Sequence, residues 1–270
     1  DYYNIYRSTT SGFTPGASNR IGSTVNTEFV DSSVTSGTYY YKVQAVDKAG
    51  NEGSTAIEAS ISIDFVAPQA ALVVINGGAQ YTNSASVTVD TNAYDATGVT
   101  CYYSFNNINW TSISCTATNQ SVTLPSGDGL KEIFFKATDA AGNMTTASDT
   151  IVLDTANPSN VTGTAATVSG NAIRVTWNAA SDATSGVDYY NIYRSTTSGF
   201  TPGAGNRIGS TVNTEFVDSS VTSGTYYYKV QAVDKAGNEG TTSAEASISV
   251  DFVAPQAALI VINGDAQYTN

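Results

Sequence analysis

Short runs of alternating hydrophobic and polar residues follow one another along the chain, divided by turn residues every 8 to 12 positions. From Asn171 to Val250 the runs read AIRVTWNA, VDYYNIYRS, NRIGSTV, TEFVD, TYYYKVQAVD and EASISVD, and NVTGTAATV precedes them. Alternation with a period of two places every second side chain on the same face of a strand. The pattern therefore predicts an all-β fold with seven strands between residues 155 and 251.

The apolar residues of these runs fall into three sets, each at every second position. The sets are Ile173, Val175 and Trp177; Tyr190 and Ile192; and Tyr226, Tyr228, Val230 and Ala232. Two sheets packed face to face would bury all three sets, because the inner faces of both sheets then form one core. The sequence therefore predicts a β-sandwich.

A long internal repeat organises the chain. Residues 1–83 align without a gap with residues 188–270, and the two copies differ at only seven positions. Such similarity indicates a tandem duplication with a period of 187 residues. We therefore expect a window from a longer array, with further copies of the repeat as neighbours.

Residues 155–251 resemble the fibronectin type III family in its bacterial extracellular form. The resemblance rests on Trp177, on the run YYNIYRS and on SGTYYYKVQAVDKAGNEG, in which Tyr226 occupies the position of the family's tyrosine corner. Residues 65–154 are similar instead to bacterial immunoglobulin-like repeats of surface proteins, through YYSFNNINW and GDGLKEIFFKATDAAGN. The resemblances imply tandem immunoglobulin-like β-sandwiches in which the two types alternate.

The domain boundaries follow from these resemblances. We expect a fibronectin type III-like domain at 1–64 that lacks its first two strands, an immunoglobulin-like domain at 65–154, a complete fibronectin type III-like domain at 155–251, and the start of another immunoglobulin-like domain at 252–270.

Charge and composition exclude several classes of function. The net charge of −12 argues against a nucleic acid as partner, because phosphate binding needs clustered Lys and Arg. The absence of histidine excludes Ser-His-Asp and Cys-His catalysis. No run of 18 apolar residues predicts a membrane span. We expect no catalytic residues in this chain.

Acidic residues recur at equivalent turns of both module types. The first position is the entry of a domain, where DFVAP or DTANP begins with Asp64, Asp154 or Asp251. The second is the turn before the third strand, where DATGV begins with Asp95 and DATSGV begins with Asp182. The third is the turn DAAGN or DKAGN after the sixth strand, which contains Asp139 with Asn143, Asp47 with Asn51, and Asp234 with Asn238. In an immunoglobulin-type sandwich these turns lie at one pole. Oxygen ligands from several loops suit Ca²⁺, so calcium at the domain junctions is one interpretation. The other is that these residues only form turns.

Two further features carry predictions. Cys101 and Cys115 flank a predicted hairpin, where a disulfide is favoured over two reduced thiols in an extracellular protein. Tyr189, Tyr193 and Tyr227 are expected to point outward, either as a contact face for glycans or for another protomer, or as ordinary solvent-facing strand residues.

The arrangement of modules predicts a non-catalytic structural protein, secreted or on the cell surface. We expect a stalk of a bacterial adhesin or an extracellular filament that assembles from copies of itself. The alternative is a set of spacer modules in an extracellular polysaccharide-degrading enzyme.

Overall fold

The computed structural model describes residues 1–256 and has an all-β architecture, as the alternation pattern predicts. The chain forms two compact units. Among the described residues, one contains 1–78, 86–123 and 132–150, and the other contains 79–85, 124–131 and 151–256. Most of the predicted domain at 252–270 lies outside the described residues. Within residues 1–256, no helix is long and apolar enough to cross a membrane.

Residues 155–251 form a sandwich of two antiparallel sheets. One sheet has the order β14-β15-β18 and the other has the order β17-β16-β19-β20. The strands are β14 (Thr162–Ser169), β15 (Ala172–Asn178), β16 (Val187–Ser195), β17 (Arg207–Thr211), β18 (Glu215–Asp218), β19 (Gly224–Asp234) and β20 (Ala246–Val250). All seven runs predicted from the sequence are therefore strands.

The core of this sandwich consists of the three predicted apolar sets. Their members join one buried cluster with Val161, Val221 and Val250. The rings of Trp177 and Tyr190 meet edge to face with centroids 5.4 Å apart, a preferred geometry for aromatic pairs. Tyr228 is fully buried, and its hydroxyl donates to Asp218 Oδ2. Residues from both sheets thus share one interior.

Tyr226 forms the corner that its sequence position predicts. Its hydroxyl oxygen accepts a hydrogen bond from the backbone N–H of Thr222 at 3.1 Å. The first copy repeats this bond, with Tyr39 accepting from the N–H of Thr35 at the same distance. The corner therefore forms from local sequence alone, because both copies have it although their surroundings differ.

Residues 1–64 form a single sheet rather than a sandwich. The strands are β1 (Tyr2–Ser8), β2 (Arg20–Thr24), β3 (Gly37–Val46), β4 (Glu52–Thr55) and β5 (Ala59–Ile63), in the order β2-β1-β3-β4 with β5 also paired to β3. Residues 1–64 contain no strand that corresponds to β14 or β15. As a result Val43 is 37% exposed, whereas its counterpart Val230 is 0% exposed.

The segment between the copies contributes two sheets. They have the orders β11-β8-β6 and β10-β9-β12-β13-β7. The strands are β6 (Gln69–Ile75), β7 (Tyr81–Thr82), β8 (Ser86–Tyr94), β9 (Val99–Ser104), β10 (Thr111–Ile113), β11 (Thr116–Thr123), β12 (Gly129–Asp139) and β13 (Met144–Leu153). Ile75, Val89, Ile133 and Phe135 are fully buried, as the alternation of apolar residues predicts.

Acid is expected to unfold the sandwich of residues 155–251 through Asp218. Burial alone would raise the pKa of Asp218, but hydrogen bonds from Arg194, Ser220 and Tyr228 lower it below its ordinary value of 3.8. A carboxylate with a lowered pKa stabilises the fold above its unfolded pKa, and this stability is lost as the pH falls through the folded pKa. The urea midpoint followed by Trp177 fluorescence in a Trp110→Phe background should therefore fall below about pH 4. Asp218→Asn should flatten this fall, and an unchanged profile would contradict the assignment.

Candidate metal sites at two clusters of aspartates

Three carboxylates converge in the first unit. We call Asp64, Asp95 and Asp139 the first trio; one oxygen from each lies within 4.8 Å of the others. Asp64 follows β5, Asp95 follows β8, and Asp139 ends β12. Three segments that are distant in sequence therefore place acidic side chains at one point.

The second unit repeats this arrangement. Asp154, Asp182 and Asp234, the second trio, also offer oxygens within 4.8 Å of one another. Asp154 follows β13, Asp182 lies between β15 and β16, and Asp234 ends β19. The equivalent turns of the two module types are thus brought together twice, once in each unit.

The two trios differ in burial. Asp154 and Asp234 of the second trio are 0% and 1% exposed, whereas in the first trio only Asp139 is buried, at 6%. Within residues 1–256, no Lys or Arg lies at ion-pair distance from any of the six carboxylates. Grouped carboxylates without a cation repel one another, and burial increases the cost of their charge. Both trios therefore have the chemistry of a cation site.

Backbone N–H groups already hold the carboxylates in place. Asp182 accepts three backbone hydrogen bonds on Oδ1, from Thr184, Ser185 and Gly186, at 2.9 to 3.0 Å. Burial would raise the pKa of Asp182, but these bonds lower it. Burial would also raise the pKa of Asp139, but hydrogen bonds from Asn143, Ala141 and Gly142 outweigh this effect and lower the pKa. Both carboxyl groups are therefore ionised at neutral pH.

The asparagines of the Asp-x-Ala-Gly-Asn turns donate hydrogen bonds at these clusters. Asn143 Nδ2 donates to Asp139 Oδ2 at 2.9 Å and to the backbone oxygen of Asp64 at 3.0 Å. Asn238 Nδ2 makes the corresponding bonds to Asp234 Oδ2 and to the backbone oxygen of Asp154, both at 2.8 Å. Each amide thus ties a turn to the segment that carries the first aspartate of its trio.

The remaining predicted ligands do not join a trio among the described residues. Asp47 accepts hydrogen bonds from the N–H groups of Ala49 and Asn51 and from Asn51 Nδ2, so it forms the same turn without belonging to either trio. Asp251 Oδ1 accepts from the N–H of Val253, as Asp64 Oδ1 does from Val66. The loops that would complete a trio with Asp251 lie beyond the described residues.

Sequence reasoning missed the hydroxyl groups beside the carboxylates. Thr97 Oγ1 donates to Asp95 Oδ1 at 2.7 Å and also approaches Asp64 Oδ2 at 3.3 Å. In the second unit, the N–H of Ser185 donates to Asp154 Oδ2 and to Asp182 Oδ1, while its own Oγ is buried without a partner. The extra serine of DATSGV relative to DATGV was the available signal.

Cys101 and Cys115 form a disulfide with their Cα atoms 5.2 Å apart. The pair is not directly opposed across the hairpin, because Cys101 lies opposite Ile113 in the pairing of β9 with β10. Cys115 instead lies between β10 and β11, which belong to different sheets. The bond therefore fixes the point where the chain changes sheets.

Loss of this disulfide is expected to destabilise the β9–β11 region. A closed loop of about 15 residues contributes about 3 kcal/mol in the chain-entropy model. In Cys101→Ser/Cys115→Ser we expect amide hydrogen exchange of β9 and β11 to accelerate by ~100-fold, the equivalent of that free energy. Exchange in β19 should not change, and equal acceleration in both regions would contradict a local effect.

The predicted tyrosine contact face is wrong at Tyr193. This residue is only 6% exposed, and its hydroxyl donates to Gln231 Oε1 at 2.7 Å. Tyr189 and Tyr227 are half-buried. Both faces of β16 are covered in its middle, from Tyr190 to Tyr193, so alternation along this strand does not separate buried from exposed residues.

Several known proteins are similar to this chain. Exoglucanase B from Cellulomonas fimi is 30% identical over 94% of this chain, and the chain spans 23% of the length of that relative. Titin domains A168–A170 are 13% identical in sequence, with a TM-score of 0.48 over 92% of this chain and 88% of theirs. A Fn3-like protein from Clostridium thermocellum is 34% identical over 37% of this chain and 97% of its own, with a TM-score of 0.27.

A model of the bacterial Ig-like domain matches the chain three times, at residues 5–64, 72–155 and 190–250. The matches cover both copies of the repeat and the segment between them. They also fall on the modules that resemble fibronectin type III domains, which share the sandwich architecture. The chain is a tandem array that belongs to the bacterial Ig-like domain family.

Proposed function

We propose that this chain is a spacer region of an extracellular polysaccharide-degrading enzyme. Its modules are non-catalytic structural domains. The observation that carries the proposal is the similarity to Exoglucanase B along 94% of the chain. The chain spans only 23% of the length of that relative. A protein with the same organisation would contain a separate catalytic domain outside this region.

Calcium at the two trios is the second part of the proposal. Each trio joins an aspartate from the entry of a module to aspartates from two loops of that module. Ca²⁺ accepts 6 to 8 oxygen ligands in a flexible geometry, which suits carboxylates supplied by separate loops. A bound ion would neutralise the clustered charge and fix the entry segment against both loops, so that the spacer resists bending at its joints.

The spacer function is tested on the native, full-length polypeptide that contains this sequence. We expect the purified protein to release soluble sugars from cellulose, while residues 1–270 alone release none. Electron microscopy should show a single thin segment attached to a globular domain. Absence of hydrolysis on cellulose, xylan and other common polysaccharides, together with uniform fibres, would overturn the proposal.

A stalk or filament remains the second candidate, and one observation favours it. The two copies differ at only seven of 83 positions. Such near-identity is typical of long arrays in which the repeated modules themselves form the functional structure. Copies would then assemble through their surfaces, and glycan contacts would fall to Tyr189 and Tyr227. A uniform fibre with an axial repeat equal to two modules would support this candidate over the spacer.

A further inference from the structure

Ser185 offers a further oxygen atom beside the second trio. This residue is 5% exposed, and its Oγ is a buried polar atom without a hydrogen-bond partner. Buried hydroxyl groups nearly always have a partner, and an exception points to an ion or water that the protein is built to accept. The backbone N–H of Ser185 donates to both Asp154 Oδ2 and Asp182 Oδ1 at 3.0 Å, which places this residue against the second trio.

The first trio has no equivalent oxygen. Its loop reads DATGV from Asp95, whereas the loop of the second trio reads DATSGV from Asp182, so Ser185 has no counterpart. The Thr97 hydroxyl beside the first trio donates its one hydrogen to Asp95 Oδ1 at 2.7 Å, and its oxygen also lies 3.3 Å from Asp64 Oδ2. A donor hydroxyl competes with a cation for the carboxylates, whereas a free hydroxyl oxygen adds a ligand.

We propose that the Ser185 hydroxyl is a ligand that makes the second trio the tighter of two calcium sites in this chain. This inference rests on the proposed calcium function. The second trio has three carboxylates and one neutral oxygen, and the greater burial of Asp154 and Asp234 strengthens their attraction to a cation. In the first trio Asp95 already accepts the Thr97 hydrogen, Asp64 and Asp95 are more exposed to water, and no counterpart of Ser185 is present, so it binds calcium more weakly.

Calorimetric titration of the full chain with Ca²⁺ alone tests this inference. We expect two classes of site, of which Asp234→Asn removes the tighter and Asp139→Asn removes the weaker. Ser185→Ala should weaken the tighter site by ~10-fold, within the range for loss of a group that supports a metal site. Ser181→Ala is the matched control, because Ser181 lies in the same segment, is exposed and bonds to Ser159; it should leave both affinities unchanged.

A gain of affinity provides a second measurement that does not depend on the folding of Ser185→Ala. Insertion of a serine between Thr97 and Gly98 makes the first loop read DATSGV and should tighten the weaker site by ~10-fold. Two sites of equal affinity that respond to neither change would overturn the role of Ser185 and leave calcium binding intact. No calcium binding to the unmodified chain would overturn the proposed calcium function itself.

Discussion

Removal of calcium is expected to lower the melting temperature of this chain by about 10 to 20 °C. An ion present at 100 times its dissociation constant contributes about 2.7 kcal/mol, and 1 kcal/mol shifts the melting of a module of 60 to 100 residues by about 4 to 8 °C. Without the ion, the carboxylates of Asp154, Asp182 and Asp234 repel one another, and within residues 1–256 no Lys or Arg forms an ion pair with them. The measurement is calorimetric melting in millimolar calcium and in chelator.

Two variants separate calcium binding from a general effect of the chelator. In the Asp234→Asn variant, the second unit should melt at nearly the same temperature in both buffers, because its site no longer binds the ion. Asp47→Asn should keep the full calcium response, since Asp47 forms the same turn but belongs to neither trio. Equal melting of the unmodified chain in calcium and in chelator would contradict the proposal.

Val230→Ala is expected to destabilise the sandwich of residues 155–251 by about 2 to 3 kcal/mol. The removed methyl groups account for about 1.6 kcal/mol of lost burial at ~0.8 kcal/mol each, and the cavity left in a closed core adds to this. Val230 is 0% exposed and packs in one cluster with Trp177, Ile192 and Tyr228. We expect amide exchange in β20, which pairs with β19, to accelerate by ~30-fold or more.

Val43→Ala is the matched control, because the residues around Val43 repeat those around Val230 letter for letter. Val43 is 37% exposed, so its truncation leaves a site open to solvent rather than a closed cavity. The loss of unfolding free energy should therefore be less than half of that for Val230→Ala. Exchange is followed in β5, whose peptide differs in mass from that of β20 through Ile63 and Val250. Equal acceleration by the two substitutions would contradict the difference in packing.

The repeat and the similarity to a known enzyme favour different functions. From sequence alone, the near-identity of the two copies favours a stalk or filament over an enzyme spacer. The similarity to Exoglucanase B along nearly the whole chain supports the spacer instead. The near-identity of the two copies therefore carries less weight than the similarity to this enzyme, because any recent duplication leaves copies that have hardly diverged.

Much of the fold follows from sequence because short-range patterns decide it. Alternation predicts β14 to β20, and the Asp-x-Ala-Gly-Asn turns form identically wherever they occur, with Gly142 and Gly237 at φ 93° and 91°. These features depend on side chains within a few residues of one another, and glycine adopts such a backbone conformation without strain. The tyrosine corners belong to the same class.

Other features cannot be predicted from local pattern, and the repeated sequence demonstrates why. The letters EFVD form strand β18 at Glu215–Asp218, where they pair with β15, but the same letters at residues 28–31 form no strand. A strand needs a partner for its backbone hydrogen bonds, and only the second copy has β15 beside it. The burial of Tyr193 on the presumed outer face of β16, and the offset of Cys115 from Cys101, likewise depend on neighbours that are distant in sequence.

The amino-acid sequence by itself determined the strands, the turns, the position of each aspartate and the boundaries of the repeat. The tertiary structure alone decided that three of those aspartates meet within 4.8 Å in each unit, that Asp154 and Asp234 lose nearly all contact with water, and that Ser185 is left with an unpaired hydroxyl. The physical reason is that hydrogen bonding within a turn is local, whereas burial and the approach of like charges depend on how separate segments pack.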